Sequence, residues 1–130
     1  AARRDHLERT IRPALQAGQV VVTDRFADST RVYQGAARGD LRDMVDRLHA
    51  LMIGVEPDRT FVIDIDPETG LARGTARGGA EDRFESLGLA FQQRLATGFR
   101  ALAAEYPDRV RLIDGRGSAA DVSARIMAAL

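Results

Sequence analysis

The sequence contains no cysteine, no tryptophan and no lysine. Without cysteine the chain has neither disulfides nor thiolate metal ligands, and its two histidines, His6 and His49, are too far apart in sequence to suggest a zinc site. All 19 basic residues are arginine, a bias that a GC-rich genome produces without selection for function. Any phosphate contact in this chain therefore uses a planar, bidentate guanidinium rather than a point charge.

Neither sign of charge dominates, because 19 Asp and Glu residues balance the 19 Arg residues. This balance gives no global attraction to nucleic acid or to an acidic membrane surface. Long apolar runs are also missing, and the charged start of the chain is unlike a signal peptide. We therefore expect a soluble, cytoplasmic protein with no nucleic-acid and no membrane partner.

A length of 130 residues suits one compact α/β domain, and 45% apolar residues permit a sizeable core. The sequence opens without an initiator Met, on Ala1-Ala2-Arg3-Arg4, inside a helical pattern. We interpret this start as a cut, so that residues 1–130 form a single partial domain.

Apolar periodicity alternates between helices and strands along the chain. Short apolar runs rich in β-branched residues predict buried strands at Gln19–Thr23, Thr60–Ile65 and Val110–Ile113. Spacing of three and four residues predicts helices over Leu7–Leu15, Leu41–Met52, Phe84–Tyr106 and Val122–Leu130, with caps at Asp66 and Ser118. The alternation predicts an α/β fold with a parallel sheet, and three strands are too few for a complete one.

The residues after each predicted strand are the candidates for chemistry, because ligands of open α/β sheets bind beyond the carboxyl ends of the strands. Asp24-Arg25 follows the first strand, Asp64-Ile65-Asp66 the second and Asp114–Ser118 the third. Arg25 suits a phosphate, and Asp24 suits a water ligand of Mg²⁺. Taken alone, Asp24-Arg25 is equally well explained as a surface ion pair.

The segment Asp24–Gly35 reads Asp-Arg-Phe-Ala-Asp-Ser-Thr-Arg-Val-Tyr-Gln-Gly. It resembles the signature of thymidylate kinases, which runs Asp-Arg-aromatic, then Ser three residues on, then Tyr-Gln-Gly; Phe26 replaces the usual Tyr or His but stays aromatic. Other segments similar to that family follow the same order and compatible spacing: Ala1–Leu15, Glu56–Asp58, Asp66–Arg73 and Asp82–Glu85. The resemblance spans essentially the whole chain. It implies a three-layer, P-loop nucleoside-monophosphate-kinase-like fold that is incomplete, with the first strands and the P-loop missing.

The resemblance also implies roles in binding dTMP. Arg3 would hydrogen-bond the thymine edge, Arg25 would bind the monophosphate, and Asp24 would organise Mg²⁺ and the acceptor phosphate. Ser29 and Thr30 would line the deoxyribose and base pocket, and Tyr33 would close against the sugar. Gln34 would lie nearby. The plainer alternatives are a helix cap for Ser29 or Thr30 and simple packing for Tyr33.

A Gly- and Arg-rich segment at about residues 73–83 resembles the family's lid. Arg73 and Arg77 are one helical turn apart, so both lie on one face, and the resemblance implies that they bind ATP and stabilise the transferred phosphoryl group. Glu85 would contact dTMP or fix the lid hinge. Gly115 and Arg116 would approach the adenine of ATP, although an ordinary strand-to-helix turn explains them equally well.

No Gly-x-x-x-x-Gly-Lys-Ser/Thr loop is possible in a sequence without lysine. We therefore expect the intact parent protein to phosphorylate dTMP to dTDP with ATP, and the 130 residues alone to be inactive and marginally folded. We also expect the parent to be a homodimer. The Leu41–Met52 and Phe84–Tyr106 helices are candidates for its interface, the plainer alternative being that their apolar stripes belong to the core. The alternatives are another nucleoside monophosphate kinase or a non-catalytic nucleotide-binding remnant. Arg-mediated RNA binding has little support at zero net charge.

Overall fold

The computed structural model describes residues 2–37, 41–77 and 88–130, without the side chains of residues 37 and 77. Contacts within the chain divide it into two compact units, Ala1–Glu56 and Pro57–Leu130. We call them unit 1 and unit 2.

Unit 1 begins with a helical stretch whose three parts are α1 (Ala2–His6), a π-helical segment (Leu7–Ile11) and α2 (Arg12–Gln16). The stretch ends at Gly18, which has a φ of 75° and so adopts the left-handed conformation that glycine tolerates best. Leu7 and Ile11 are 0% and 6% exposed and form the small core of the unit with Ile53. The predicted helix at Leu7–Leu15 is therefore confirmed.

The predicted strand at Gln19–Thr23 is wrong. These residues form no regular element, and the side chains of Val20 and Val22 are each 91% exposed. A β-branched run has the composition of a strand, but a strand exists only where a neighbouring backbone supplies ladder hydrogen bonds. In the described part of the chain, no other segment pairs with this run.

Two further helices complete unit 1: α3 (Ala27–Ala37) and α4 (Arg42–Met52). The second ends at Gly54, whose φ is 66° and whose amide donates to the carbonyl oxygen of His49 at 3.0 Å. The helix predicted over Leu41–Met52 is confirmed within one residue.

Unit 2 is built on two parallel strands, β1 (Thr60–Asp64) and β2 (Val110–Asp114). They pair in register from Thr60 with Val110 to Asp64 with Asp114. Their flanking helices are α5 (Pro67–Arg77), α6 (Gly88–Glu105) and α7 (Ala119–Ala128). The two strands predicted in this half of the sequence are confirmed, whereas the predicted helix over Phe84–Tyr106 is described only from Gly88 onwards.

The core of unit 2 lies between β2 and α6, which contact each other. Its buried side chains are Phe91, Leu95, Leu102, Val110 and Ile113. No described helix is long and apolar enough to cross a membrane.

Both predicted caps in unit 2 are present. The amide of Thr69 donates to Asp66 Oδ2 at 3.0 Å, which satisfies a free N–H in the first turn of α5. Ser118 and Asp121 form a reciprocal capping box at the start of α7. These local hydrogen bonds fix where each helix leaves the carboxyl edge of the sheet.

Candidate functional site

The Asp24-Arg25 turn has an unusual backbone. Arg25 has a φ of 62°, the one positive value at a non-glycine position in the described ranges 2–37, 41–77 and 88–130. For a residue with a side chain this conformation costs on the order of 1–2 kcal/mol, and such strain clusters at functional sites. The hydroxyl of Thr23 donates to the Arg25 carbonyl oxygen at 2.9 Å and supports the turn. Both Asp24 and Arg25 are exposed at the surface of unit 1.

Arg25 lies over the ring of Tyr33, with its guanidinium carbon 5.4 Å from the ring centroid. At this distance the positive guanidinium is attracted to the face of the aromatic ring. The bonds that grip a phosphate run along the N–H edge of the guanidinium, so stacking and phosphate binding are compatible. Two residues that the sequence singled out eight positions apart are thus brought together.

Arg3 makes a second contact between predicted site residues, with Thr30. Its Nη2 donates to Thr30 Oγ1 at 2.6 Å and lies 3.5 Å from the Phe26 carbonyl oxygen. Its guanidinium carbon is also 5.5 Å from the centroid of the Phe26 ring. The predicted base-binding arginine therefore lies against the beginning of α3, beside a predicted pocket residue.

One face of α3 presents the predicted pocket residues. At 3.6 residues per turn, Ser29, Thr30 and Tyr33 share a stripe with Phe26, and all four are partly buried. Ser29 and Thr30 are the third and fourth residues of α3, so the alternative that either one is its N-cap is wrong. Gln34 is exposed on the neighbouring part of the helix.

The opposite face of α3 contains an ion network around a buried arginine, Arg31, that the sequence analysis missed. Arg31 is 5% exposed and donates to carboxylates of Asp28, Asp46 and Glu56. The hydrogen bond to Glu56 is the largest cause of the raised pKa of Arg31, and it outweighs burial, which lowers the pKa. Only the Asp28–Arg31 spacing of three residues is a local signal in the sequence.

In unit 2 the carboxyl ends of both strands place two carboxylates side by side, since Asp64 and Asp114 are register partners. Arg100 donates to Asp64 through two hydrogen bonds of 3.0 Å, and Arg116 donates to Asp114 at 2.8–3.1 Å. The hydrogen bond from Arg116 holds the pKa of Asp114 well below its ordinary value. These four side chains and Asp66 line a cleft of about 340 Å³. Arg100 gave no signal in the sequence, where it reads as the exposed face of a long helix.

Arg73 and Gly115 are directly connected, because Arg73 Nη1 donates to the Gly115 carbonyl oxygen at 3.1 Å. Gly115 is buried, and a Cβ there would lie 2.9 Å from Ile63 Cγ2 and 3.0 Å from the Asp64 carbonyl oxygen. Only glycine fits this crossing of β1 and the loop after β2 without displacement. Arg77 is the last residue of α5, and its side chain lies outside the described part, as does all of Glu85.

No cluster of three or more potential ligands from His, Asp or Glu occurs among the described residues. Mg²⁺ is commonly held by one or two carboxylates together with substrate phosphates and waters. The exposed carboxylate of Asp24, beside a candidate phosphate-binding arginine, fits that kind of site.

Comparison with known proteins identifies the family. A family model described as thymidylate kinase matches residues 1–126. The thymidylate kinase of Jannaschia sp. (strain CCS1) is 68% identical over 114 residues, which cover 88% of this chain and 55% of that protein. The thymidylate kinase of Dinoroseobacter shibae is 63% identical over 130 residues, which cover 100% of this chain and 63% of that protein.

A crystal structure of thymidylate kinase from Ehrlichia chaffeensis has a TM-score of 0.70 and 30% identity, and the match covers 98% of this chain and 57% of that chain. The helices and small parallel sheet are therefore an incomplete α/β fold of the P-loop kinase class. The chain belongs to the thymidylate kinase family. It spans 55–63% of the length of the curated relatives described above.

Proposed function

We propose that the protein to which this chain belongs transfers the γ-phosphoryl group of ATP to dTMP, and that unit 1 contains the dTMP site. One observation supports this most directly. Two contacts lie along one face of α3: Arg25, at the strained turn, lies over Tyr33, and Arg3 donates to Thr30. The family membership of the chain supports the same reaction.

The proposed roles follow from the chemistry of each group. Arg25 binds the dTMP phosphate through its N–H edge, Arg3 hydrogen-bonds the thymine edge, and Tyr33 packs against the deoxyribose. Ser29 and Thr30 line the pocket between them, with Gln34 nearby, and Glu85 is proposed as a further dTMP contact. Selectivity then depends on polar groups that the wrong base or sugar leaves without partners.

In the reaction, an oxygen of the dTMP phosphate attacks the γ-phosphorus of ATP, and the bond to the leaving ADP oxygen breaks. We propose that Arg73 and Arg77, in a lid at about residues 73–83, stabilise the charge on the transferred group. Gly115 and Arg116 lie toward the adenine in this proposal. Mg²⁺, when bound near Asp24 through a water, neutralises phosphate charge.

We also propose that the protein is located in the cytoplasm and forms a homodimer. The apolar stripe of α4 supports a protein partner, since Met44, Leu48 and Leu51 are 64%, 59% and 81% exposed.

The dTMP site is tested by Arg25→Met, with Arg47→Met, an exposed arginine on α4, as the matched control. We expect Arg25→Met to weaken dTMP binding about 10-fold to 100-fold, because it removes a charge-assisted bidentate contact worth roughly 1.5–3 kcal/mol. Calorimetric titration of both variants, after circular dichroism has confirmed folding, measures this difference. Equal dTMP affinity in the two variants would remove Arg25 from the site.

A further inference from the structure

The buried network around Arg31 fixes one side of α3 by unusually many hydrogen bonds. Arg31 Nε donates to Asp46 Oδ1 at 2.7 Å, and its Nη1 donates to Asp28 Oδ1 at 2.9 Å and to Glu56 Oε2 at 3.1 Å. The three carboxylates belong to α3, to α4 and to the segment after α4. A single planar guanidinium therefore ties α3 to two other parts of unit 1.

The network lies on the face of α3 away from the proposed dTMP site. Asp28 and Arg31 are roughly half a turn from the stripe of Ser29, Thr30 and Tyr33 at 3.6 residues per turn. Arg31 has no hydrogen bond to any of the three described pocket residues, and its side chain is 5% exposed. It is thus in no position to touch a nucleotide bound on the opposite face.

A continuous series of contacts nevertheless joins the network to the proposed base-binding arginine. Glu56 Oε1 lies 3.0 Å from His49 Nε2, and the ring of His49 stands edge-on to Phe26 with centroids 6.2 Å apart. Phe26 in turn lies under the guanidinium of Arg3 at 5.5 Å. His49 is 7% exposed, so the ring is held by its buried packing together with the close contact of its Nε2 with Glu56.

We propose that Arg31 is a positioning residue for nucleotide selection: it fixes the rotation of α3 and, through Glu56, His49 and Phe26, the place of Arg3. The inference rests on the proposed function, because it assigns dTMP to the stripe of α3 opposite Arg31. A buried ion network contributes little net stability compared with apolar packing, but its several directional bonds restrict the helix to one orientation.

The readout that separates positioning from general stability is a ratio of affinities. The ratio of the Kd for UMP to the Kd for dTMP does not depend on the folded fraction of the sample, since both constants fall or rise together with it. Uracil and thymine present the same hydrogen-bonding edge to Arg3, so this ratio reports chiefly how the rotation of α3 places Tyr33 against the sugar. Misplacing a binding group by about 1 Å has a large cost in binding and catalysis, so we expect loss of Arg31 to lower this ratio about 10-fold.

Three variants test the proposal. Asp28→Asn/Arg31→Met removes Arg31 together with the carboxylate that it would leave buried and uncompensated, which keeps the chain folded. Arg31→Lys retains the charge but offers one nitrogen in place of the three that reach the carboxylates from Arg31, so its ratio is expected between those of the double variant and the wild-type chain. Arg42→Met is the matched control, because Arg42 donates to the same Asp46 but belongs to α4 rather than to α3.

Calorimetric titrations with dTMP and UMP give the outcomes. A lowered ratio in the double variant, a partial loss in Arg31→Lys and a ratio within about twofold of wild type in Arg42→Met support the proposal. A wild-type ratio in a folded double variant overturns it while leaving the proposed function intact. A wild-type chain that does not discriminate dTMP from UMP overturns the proposed dTMP site and this inference with it.

Discussion

Two apolar runs of similar composition differ in structure between the two units: one is a paired strand and the other is unpaired and exposed. In unit 2, Val110–Asp114 pairs with Thr60–Asp64, and Val110 is 3% exposed. In unit 1, Val20 and Val22 lie in a run that the sequence predicts as a strand just as firmly, yet both are 91% exposed. The difference shows that β-branched composition makes a segment suitable for a sheet, while a hydrogen-bonding partner decides whether it becomes part of one.

The two units also differ in the exposure of arginines that bind carboxylates. Unit 1 buries Arg31 among three carboxylates, whereas the arginines that bind the strand-end carboxylates of unit 2 are 49% and 82% exposed, at Arg100 and Arg116. Pairs between exposed groups are worth little to stability, whereas a buried guanidinium with several directional hydrogen bonds is restricted to one geometry. We therefore infer that the hydrogen bonds of Arg31 fix the orientation of α3, whereas the exposed Arg100 and Arg116 of unit 2 make adaptable contacts.

The largest difference is expected when the same carboxylate is placed in both runs. Val110→Asp puts an unpaired charge at a buried ladder position and should lower the free energy of unfolding by about 4 kcal/mol, enough to unfold a marginally stable chain. Val22→Asp, at an exposed site, should change it by no more than about 0.5 kcal/mol. Urea denaturation followed by circular dichroism measures both, and similar losses in the two variants would show that residues 19–23 are buried in solution.

A smaller effect is expected from adding one methyl group in each unit. Gly115→Ala forces a Cβ to within 2.9 Å of Ile63 Cγ2 and should destabilise the chain by about 1–3 kcal/mol. Gly35→Ala, in α3, meets nothing within 4 Å and should stabilise the helix by up to about 1 kcal/mol. Thermal or urea unfolding of the pair gives the sign of each change; a neutral Gly115→Ala would mean that the strand ends do not approach as closely as described.

The smallest predicted effect is the pH dependence of stability that Asp46, a member of the Arg31 network, contributes. Burial raises the pKa of Asp46, but hydrogen bonds from Arg31 and Arg42 outweigh it and leave the pKa below its ordinary value. Because the unfolded state then binds the proton more readily, the stabilisation from Asp46 is complete above the ordinary carboxyl pKa of about 3.9 and is lost as pH falls through the lower folded pKa.

The measurement compares wild type with Asp46→Asn in urea from pH 7 to pH 3. Wild type should be more stable by up to about 1 kcal/mol near pH 7, with the difference shrinking below about pH 4. A difference that grows on acidification would contradict the assigned direction of the pKa.

Local rules explain what the sequence could predict. The Asp66 and Ser118 caps depend on residues within one turn, and the strands of unit 2 have both the right composition and a partner. The carboxylates that Arg31 binds are 3, 15 and 25 residues away, and only the first spacing shows in a sequence. Contacts such as Arg3 with Thr30, 27 residues apart, likewise depend on how α1 meets α3.

The most direct test of the central claim is calorimetric titration of the folded chain with dTMP, with dAMP and UMP as controls. Our account predicts saturable binding of dTMP that is at least about 10-fold tighter than binding of either control, since each unpaired or clashing polar group costs roughly 1–3 kcal/mol. It predicts no turnover of dTMP with ATP and Mg²⁺, because these 130 residues contain no lysine for a phosphate-binding loop. Equal affinity for the three nucleotides, or no binding by a folded chain, would contradict the assignment of α3 and its arginines as a dTMP site.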